Sequence, residues 1–131
     1  MTINNAELYM AGVWDWAILD GCFGQTRIRP TDVDGLIERN GKCLFIETKK
    51  PGAPIPYGQA LLHRALVQAG FSVVLVWGET NTPSKIKLLT PHASKIYEPA
   101  DIEAFRALVC QWFTWADSQP RCRQHNQQRK I

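Results

Sequence analysis

The chain has 131 residues, of which 45% are hydrophobic and 21% charged, and its formal net charge at pH 7 is +3. These values are ordinary for a globular protein and exclude a collagen, a coiled-coil rod and a disordered tail protein. Every apolar run is far shorter than the ~18 residues of a membrane-spanning helix. The first ten residues lack a signal peptide's basic and apolar regions, and the four cysteines form no C-x-x-C pair. We therefore expect a cytoplasmic protein with reduced thiols and no membrane contact.

Helices and strands alternate in the predicted order of elements. Asn4 or Asn5 caps a first helix over 6–10, which resumes over 14–19. Two runs rich in Val, Ile, Leu and Phe then flank Asn40-Gly41, the dipeptide that most strongly favours a type I′ hairpin turn. The later predicted elements are a helix over 57–69, a buried strand over 71–77, a short strand over 85–89 and a helix over 101–116. This order predicts a mixed α/β fold, with a central sheet that contains an antiparallel hairpin and is flanked by helices.

A change in charge marks the end of the chain. From residue 118 onward there are four basic residues and no acidic one. We therefore expect a single domain over 1–117 and a basic tail over 118–131, which is either solvated or bound to a polyanion.

The hairpin turn determines which side chains oppose each other. If Asn40 and Gly41 form the turn, counting outward pairs Asp34 with Glu47. Opposed residues lie on one face of a sheet, with Cβ atoms about 4.5–5.5 Å apart. Lys49 has the same parity and is paired with Asp32, which competes with Asp34 for the acidic position. We favour Asp34 as the acidic residue of the site, because it lies opposite Glu47.

This arrangement has a chemical consequence. Two opposed carboxylates repel each other, so either one pKa rises or a cation lies between them. Mg²⁺ takes oxygen ligands and commonly binds one or two protein carboxylates. A neighbouring lysine can orient or deprotonate a water, or stabilise developing negative charge. The spacing predicts a Mg²⁺ or Mn²⁺ site, and the alternative is a surface hairpin with mixed charge.

The segment PTDVDGLIERNGKCLFIETKK, followed by Gly58-Gln59, resembles the PD-(D/E)XK nuclease superfamily. The similarity is to small phage and prophage members with a TDxDG…ExK hairpin, and it covers roughly residues 29–78. It implies a restriction-endonuclease-like core with the element order αβββαβ. Such a core requires one further strand between Trp14 and Arg29.

The resemblance also implies roles for individual residues. Asp34 and Glu47 would ligate the metal, with the backbone carbonyl of Thr48 completing the site, and Lys49 would be the catalytic lysine. Gln59 would open a helix that touches the site or the nucleic acid backbone. Two positions stay open: His63, where similar proteins often carry Tyr, and Glu7, a candidate extra acid. The residues expected to contact phosphates are Lys50, Arg64, Lys85 and Lys87.

The expected function is a Mg²⁺- or Mn²⁺-dependent nuclease that hydrolyses phosphodiester bonds in DNA, with RNA as an open alternative substrate. Because the chain is short, it has little room for a separate specificity domain. We therefore expect cleavage to be structure-selective or weakly sequence-specific. The choice between endonuclease and exonuclease stays open, and a homodimer would supply a second active site. The resemblance implies a phage- or prophage-encoded protein in a bacterial cytoplasm. The alternative function is a catalytically silent phage accessory module that binds nucleic acid or protein on the same fold.

Overall fold

The computed structural model describes residues 12–121, which form two compact units, 12–32 and 33–121. In the first unit, a short 3-10 helix spans Ala17–Leu19. The predicted helix over 6–10 lies outside the described residues, and its predicted continuation over 14–19 is wrong. Trp16 has a left-handed backbone with φ of 66°, so the chain cannot enter a longer helix at this point.

The further strand required by the resemblance between Trp14 and Arg29 is also wrong. The structure places no strand in residues 12–34. Gly21 and Gly24 adopt positive φ within a run of turns, and this conformation is incompatible with an extended strand.

The second unit is a five-stranded mixed sheet with two helices, which confirms the mixed α/β class. Its elements are β1 (Gly35–Arg39), β2 (Lys42–Lys49), α1 (Tyr57–Gln68), β3 (Ser72–Glu79), β4 (Thr82–Leu89), β5 (Ser94–Tyr97) and α2 (Ile102–Ser118). The strands lie in the order β1-β2-β3-β4-β5. β2 and β3 are parallel, and every other neighbouring pair is antiparallel.

The predicted hairpin is confirmed, including its register. Arg39 pairs with Lys42, and both turn residues have positive φ, 53° at Asn40 and 83° at Gly41. The ladder ends at Gly35, so the predicted pairing of Asp32 with Lys49 is not part of it. Beyond Gly35, the backbone N–H of Thr48 donates to the Asp34 side chain instead of to the backbone of a facing strand.

The remaining elements follow the predictions with two differences. β4 begins at Thr82, earlier than predicted, because a tight turn with positive φ at Asn81 joins it directly to β3. β5 was not predicted. The long C-terminal helix is confirmed, and Asp101 caps it by accepting a 2.9 Å hydrogen bond from the backbone N–H of Ala104.

Both faces of β3 are buried, because a helix packs on each side of the sheet. Val73, Leu75 and Trp77 pack against Leu66 and Val67 of α1. The alternate residues of β3 belong to the opposite cluster, which contains Leu44, Val74, Val76, Ile86, Ala100, Trp112 and Ala116. Side chains alternate along a strand, so each residue of β2 faces the same helix as its partner on β3.

Two further findings concern the described residues only. Cys22, Cys43 and Cys110 are free thiols. No helix within residues 12–121 has the length and apolar character needed to cross a membrane.

Candidate active site

Asp34 lies directly before β1 and is anchored to the end of β2. Its Oδ2 accepts hydrogen bonds from the backbone N–H of Thr48 at 2.8 Å and from the Thr48 hydroxyl at 3.0 Å. Burial raises the pKa of Asp34, but the hydrogen bonds from Thr48 and Glu47, together with the charge of Lys49, outweigh burial and lower it overall. Asp34 is therefore the anionic member of the site.

Glu47 supplies a second carboxyl group at the same place. It pairs with Leu75 in the parallel ladder and so points toward the α1 side of the sheet. Its carboxyl group lies within hydrogen-bonding reach of Asp34. Burial first, and then the hydrogen bond and negative charge of Asp34, raise the pKa of Glu47 to about 7, although Lys49 opposes the rise. Below about pH 7, and down to the range where Asp34 titrates, the two carboxyl groups therefore hold roughly one proton between them.

Lys49 is held beside this acidic pair by α1. It pairs with Trp77 in the parallel ladder and so shares the face of Glu47. Its Nζ donates a hydrogen bond to Oε1 of Gln59, in the first turn of α1. This contact joins Lys49 and Gln59, two residues that the resemblance assigned to one site.

His63 lies one helical turn after Gln59 and is the one buried residue of α1, with 5% of its surface exposed. Burial first, and then the positive charges of Lys49 and Lys87, lower its pKa. The lowered pKa favours the neutral imidazole, and its dependence on Lys49 locates His63 near the site, while the role of His63 stays open.

Basic side chains continue the same face of the sheet away from the acidic pair. Lys87 pairs with Leu75, and Lys85 pairs with Trp77. Lys85 Nζ lies 4.8 Å from the centroid of the Trp77 ring, within the range of a cation–π contact. Three of the four predicted phosphate-contacting residues, Arg64, Lys85 and Lys87, line cavities that border this face.

The fourth predicted residue, Lys50, is exposed directly after β2 and lines a different cavity, together with Thr48 and Lys49. The predicted cationic residues are therefore divided between two sides of the end of β2.

The donor set suits a hard divalent cation. Within residues 12–121, no three His, Cys, Asp or Glu side chains cluster closely enough to hold a metal ion. Mg²⁺ needs only one or two protein carboxylates, because water and substrate oxygens supply its other ligands. A carboxyl pair that shares one proton fits such an ion, since the cation would displace that proton. The structure gives Thr48 a role as a donor to Asp34, and its predicted role as a carbonyl ligand stays a prediction.

Comparisons of the chain with protein-family models, curated proteins and solved structures gave no match. The interpretation of the site therefore depends on the geometry of this chain. Two contributors were missed by sequence reasoning: the Thr48 hydroxyl, which orients Asp34, and Trp77, which lies between Lys49 and Lys85. The alternation of side chains along β3 predicts which face of the sheet Trp77 occupies. That Lys49 and Lys85 flank it becomes clear only once the neighbouring strands are known.

Proposed function

We propose that the protein is a divalent-metal-dependent nuclease of the PD-(D/E)XK type, which hydrolyses phosphodiester bonds in DNA. The observation that carries this proposal is that Asp34, anchored by Thr48 at the end of β2, lies within hydrogen-bonding reach of Glu47, with Lys49 on the same face of β2 as Glu47. Two carboxyl groups in contact without a cation are electrostatically costly. Carboxyl groups with strongly shifted pKa values cluster at functional sites, where the chemistry requires them despite their cost in stability.

Each residue of the site has a distinct role in this proposal. Asp34 and Glu47 would hold Mg²⁺ or Mn²⁺, which when bound supplies a charge that polarises the phosphate and lowers the pKa of a bound water. Asp34 is oriented for this by Thr48. Lys49, positioned by Gln59, would donate a hydrogen bond to the phosphate oxygens, where negative charge develops as water attacks phosphorus and the leaving oxygen departs.

The surrounding charge supports a nucleic acid substrate. Lys85 and Lys87 lie on the same side of the sheet as Glu47, and Arg64 is exposed on the helix that packs there. Contacts of this kind neutralise phosphates and position the nucleic acid strand, but they do not distinguish one base from another. They support structure-selective or weakly sequence-specific cleavage.

The test is a cleavage assay with labelled duplex DNA, single-stranded DNA, branched DNA and RNA in parallel, each with Mg²⁺, Mn²⁺ or EDTA. We expect metal-dependent cleavage of DNA by the wild type. Asp34→Asn should reduce it roughly 10²-fold or more, the scale of losing one electrostatic group in an active site. Asp20→Asn, at an exposed aspartate of the first unit, is the matched control.

Three outcomes would contradict the proposal or change its details. Cleavage that persists in EDTA would exclude a metal-dependent site. Binding without turnover under every metal would favour the catalytically silent module. Loss of activity in Asp32→Asn, with full activity in Asp34→Asn, would transfer the acidic role to the competing aspartate.

A further inference from the structure

The cavity that Lys50 lines lies at the end of the sheet where β2 and β3 terminate, and its volume is about 510 Å³. That volume falls within the ~300–1,000 Å³ of typical small-ligand pockets. Its apolar wall contains Val76, Ile102 and Phe105. Its polar and charged lining contains Thr48, Lys49, Lys50, Glu79, Thr80, Asn81, Thr82 and Arg106.

The cavity adjoins the proposed active site through the end of β2. Glu47 faces α1, whereas Thr48 pairs with Val76 and so faces α2. Thr48 lines the cavity and also donates a hydrogen bond to Asp34 of the acidic pair. Lys49 lines the cavity too, while its Nζ donates to Gln59 on the α1 side. Ligands of open sheets bind outside the carboxyl ends of parallel strands, which is where this cavity lies.

The chemistry of the lining matches one nucleotide of a strand. Two cations whose side chains are not engaged on the α1 face, Lys50 and Arg106, line the cavity against one acid, Glu79, so the charge balance favours an anion. The apolar wall can take the flat face of a base, while hydroxyl and amide side chains of the β3–β4 turn can bond its edge. A base inside a duplex cannot enter such a cavity, because it is stacked and paired.

We propose that this cavity receives an unpaired nucleotide adjacent to the phosphate at the acidic site. The preferred substrate is then DNA with a single-stranded end, gap or flap, and uninterrupted duplex is a poorer one. This inference depends on the proposed nuclease function and deepens it, because it names the form of DNA that the site selects.

Arg106 is the residue on which to test the proposal. It is exposed, and within residues 12–121 it takes part in no ion pair, so Arg106→Gln should fold normally. Lys95→Gln is the matched control, because Lys95 is an exposed cation of β5 that does not line this cavity. Equal melting temperatures of both variants and the wild type would establish that folding is unaffected.

The experiment measures binding in EDTA, where no metal-dependent cleavage occurs. Two duplexes of one sequence are compared, one blunt and one with a short overhang carrying 2-aminopurine. Base stacking on a protein surface predicts that the wild type and Lys95→Gln bind the overhang roughly tenfold more tightly and change its fluorescence. Arg106→Gln should remove most of that preference, because the loss of one hydrogen bond to a charged phosphate costs roughly tenfold or more in affinity.

Equal affinity for blunt and overhang duplexes would overturn the inference, as would identical behaviour of the two variants. The proposed function fails separately, through absence of metal-dependent cleavage by the wild type on every substrate. Cleavage with no preference for unpaired nucleotides would refute only the role of this cavity.

Discussion

The carboxyl group of Glu47 lies within hydrogen-bonding reach of the Asp34 carboxyl group at the open end of the β1–β2 hairpin. The two groups are not equivalent, because Thr48 hydrogen-bonds Asp34 and lowers its pKa, whereas burial and the Asp34 charge raise the pKa of Glu47. The pair therefore titrates as a unit in which Glu47 holds the proton below about pH 7 and releases it above that pH. Its protonation and its affinity for a cation are linked.

The first prediction concerns the stability of the metal-free protein as a function of pH. The pKa of Glu47 is about 7 in the folded state and 4.5 ordinarily, so between these values the folded protein holds a proton that the unfolded chain releases. The contribution of Glu47 to the free energy of unfolding is thus fully present below pH 4.5 and is lost as pH rises toward 7.

Urea unfolding at pH 5, 6, 7 and 8 in EDTA measures this effect. Glu47→Gln should flatten the decline, because the amide does not titrate. Glu103→Gln, at an exposed glutamate in the first turn of α2, should retain it. A decline of equal slope in all three proteins would show that Glu47 does not bind the extra proton.

The second prediction concerns metal binding. Mg²⁺ or Mn²⁺ should raise the free energy of unfolding by about 2.7 kcal/mol at a free concentration one hundred times Kd. The gain should be larger at pH 8 than at pH 6, because the ion competes with the proton on Glu47. Thermal melts with and without the ion measure it, with Asp34→Asn expected to lose the gain and Asp20→Asn to keep it. A melting temperature indifferent to millimolar ions would argue against a shared metal site.

The third prediction separates chemistry from metal binding. Lys49→Ala should lose roughly 10²–10⁴ in the cleavage rate, as expected for a group acting on water or phosphate. It should keep the metal-dependent rise in melting temperature. Gln59→Ala should lose about tenfold, since the ammonium remains but loses the partner that orients it.

Lys95→Ala is the control for these two variants, because Lys95 is exposed on β5. Single-turnover cleavage rates provide the comparison. Full activity of Lys49→Ala would exclude the proposed reaction at this site, and a Gln59→Ala rate equal to the wild type would remove the positioning role of α1.

The fourth prediction concerns the basic end of the chain. Ser118 is the last residue of α2, and Arg121 forms an ion pair of 3.1 Å with Glu38, so the deletion is placed after Arg121. Removing 122–131 deletes three basic residues and should leave the melting temperature unchanged. The slope of log K for duplex DNA against log salt should become shallower by about 0.9 for each phosphate that these residues neutralise. An unchanged slope would mean that they neutralise none.

The hairpin was predictable because its turn residues determine it locally. The other strands were harder to predict, because their pairing depends on residues far apart in the chain. Asn40 and Gly41 determine the register of β1 and β2 without help from the remainder of the chain. The strand over 71–77 was predictable because both of its faces are buried. β5 was missed because its four residues are all exposed and carry no periodic apolar signal.

The candidate site was predictable to a similar extent. The juxtaposition of Asp34 and Glu47 followed from counting along the hairpin, although the ladder itself stops at Gly35. The contact between Lys49 and Gln59 depends on how α1 packs on the sheet, which spacing alone does not determine. The strand expected before Arg29 came from the resemblance alone, and the turns at Gly21 and Gly24 exclude it.

Single-turnover cleavage of labelled DNA in Mg²⁺ tests directly whether the Asp34–Glu47 pair carries the reaction, with the wild type, Glu47→Gln and Glu103→Gln prepared and assayed side by side. Both substitutions remove one carboxyl group, but of the two residues Glu47 is the one that lies within hydrogen-bonding reach of the Asp34 carboxyl group. We expect Glu103→Gln to cleave at the wild-type rate and Glu47→Gln to be slower by roughly 10²-fold or more. Equal rates for the two variants would contradict this expectation.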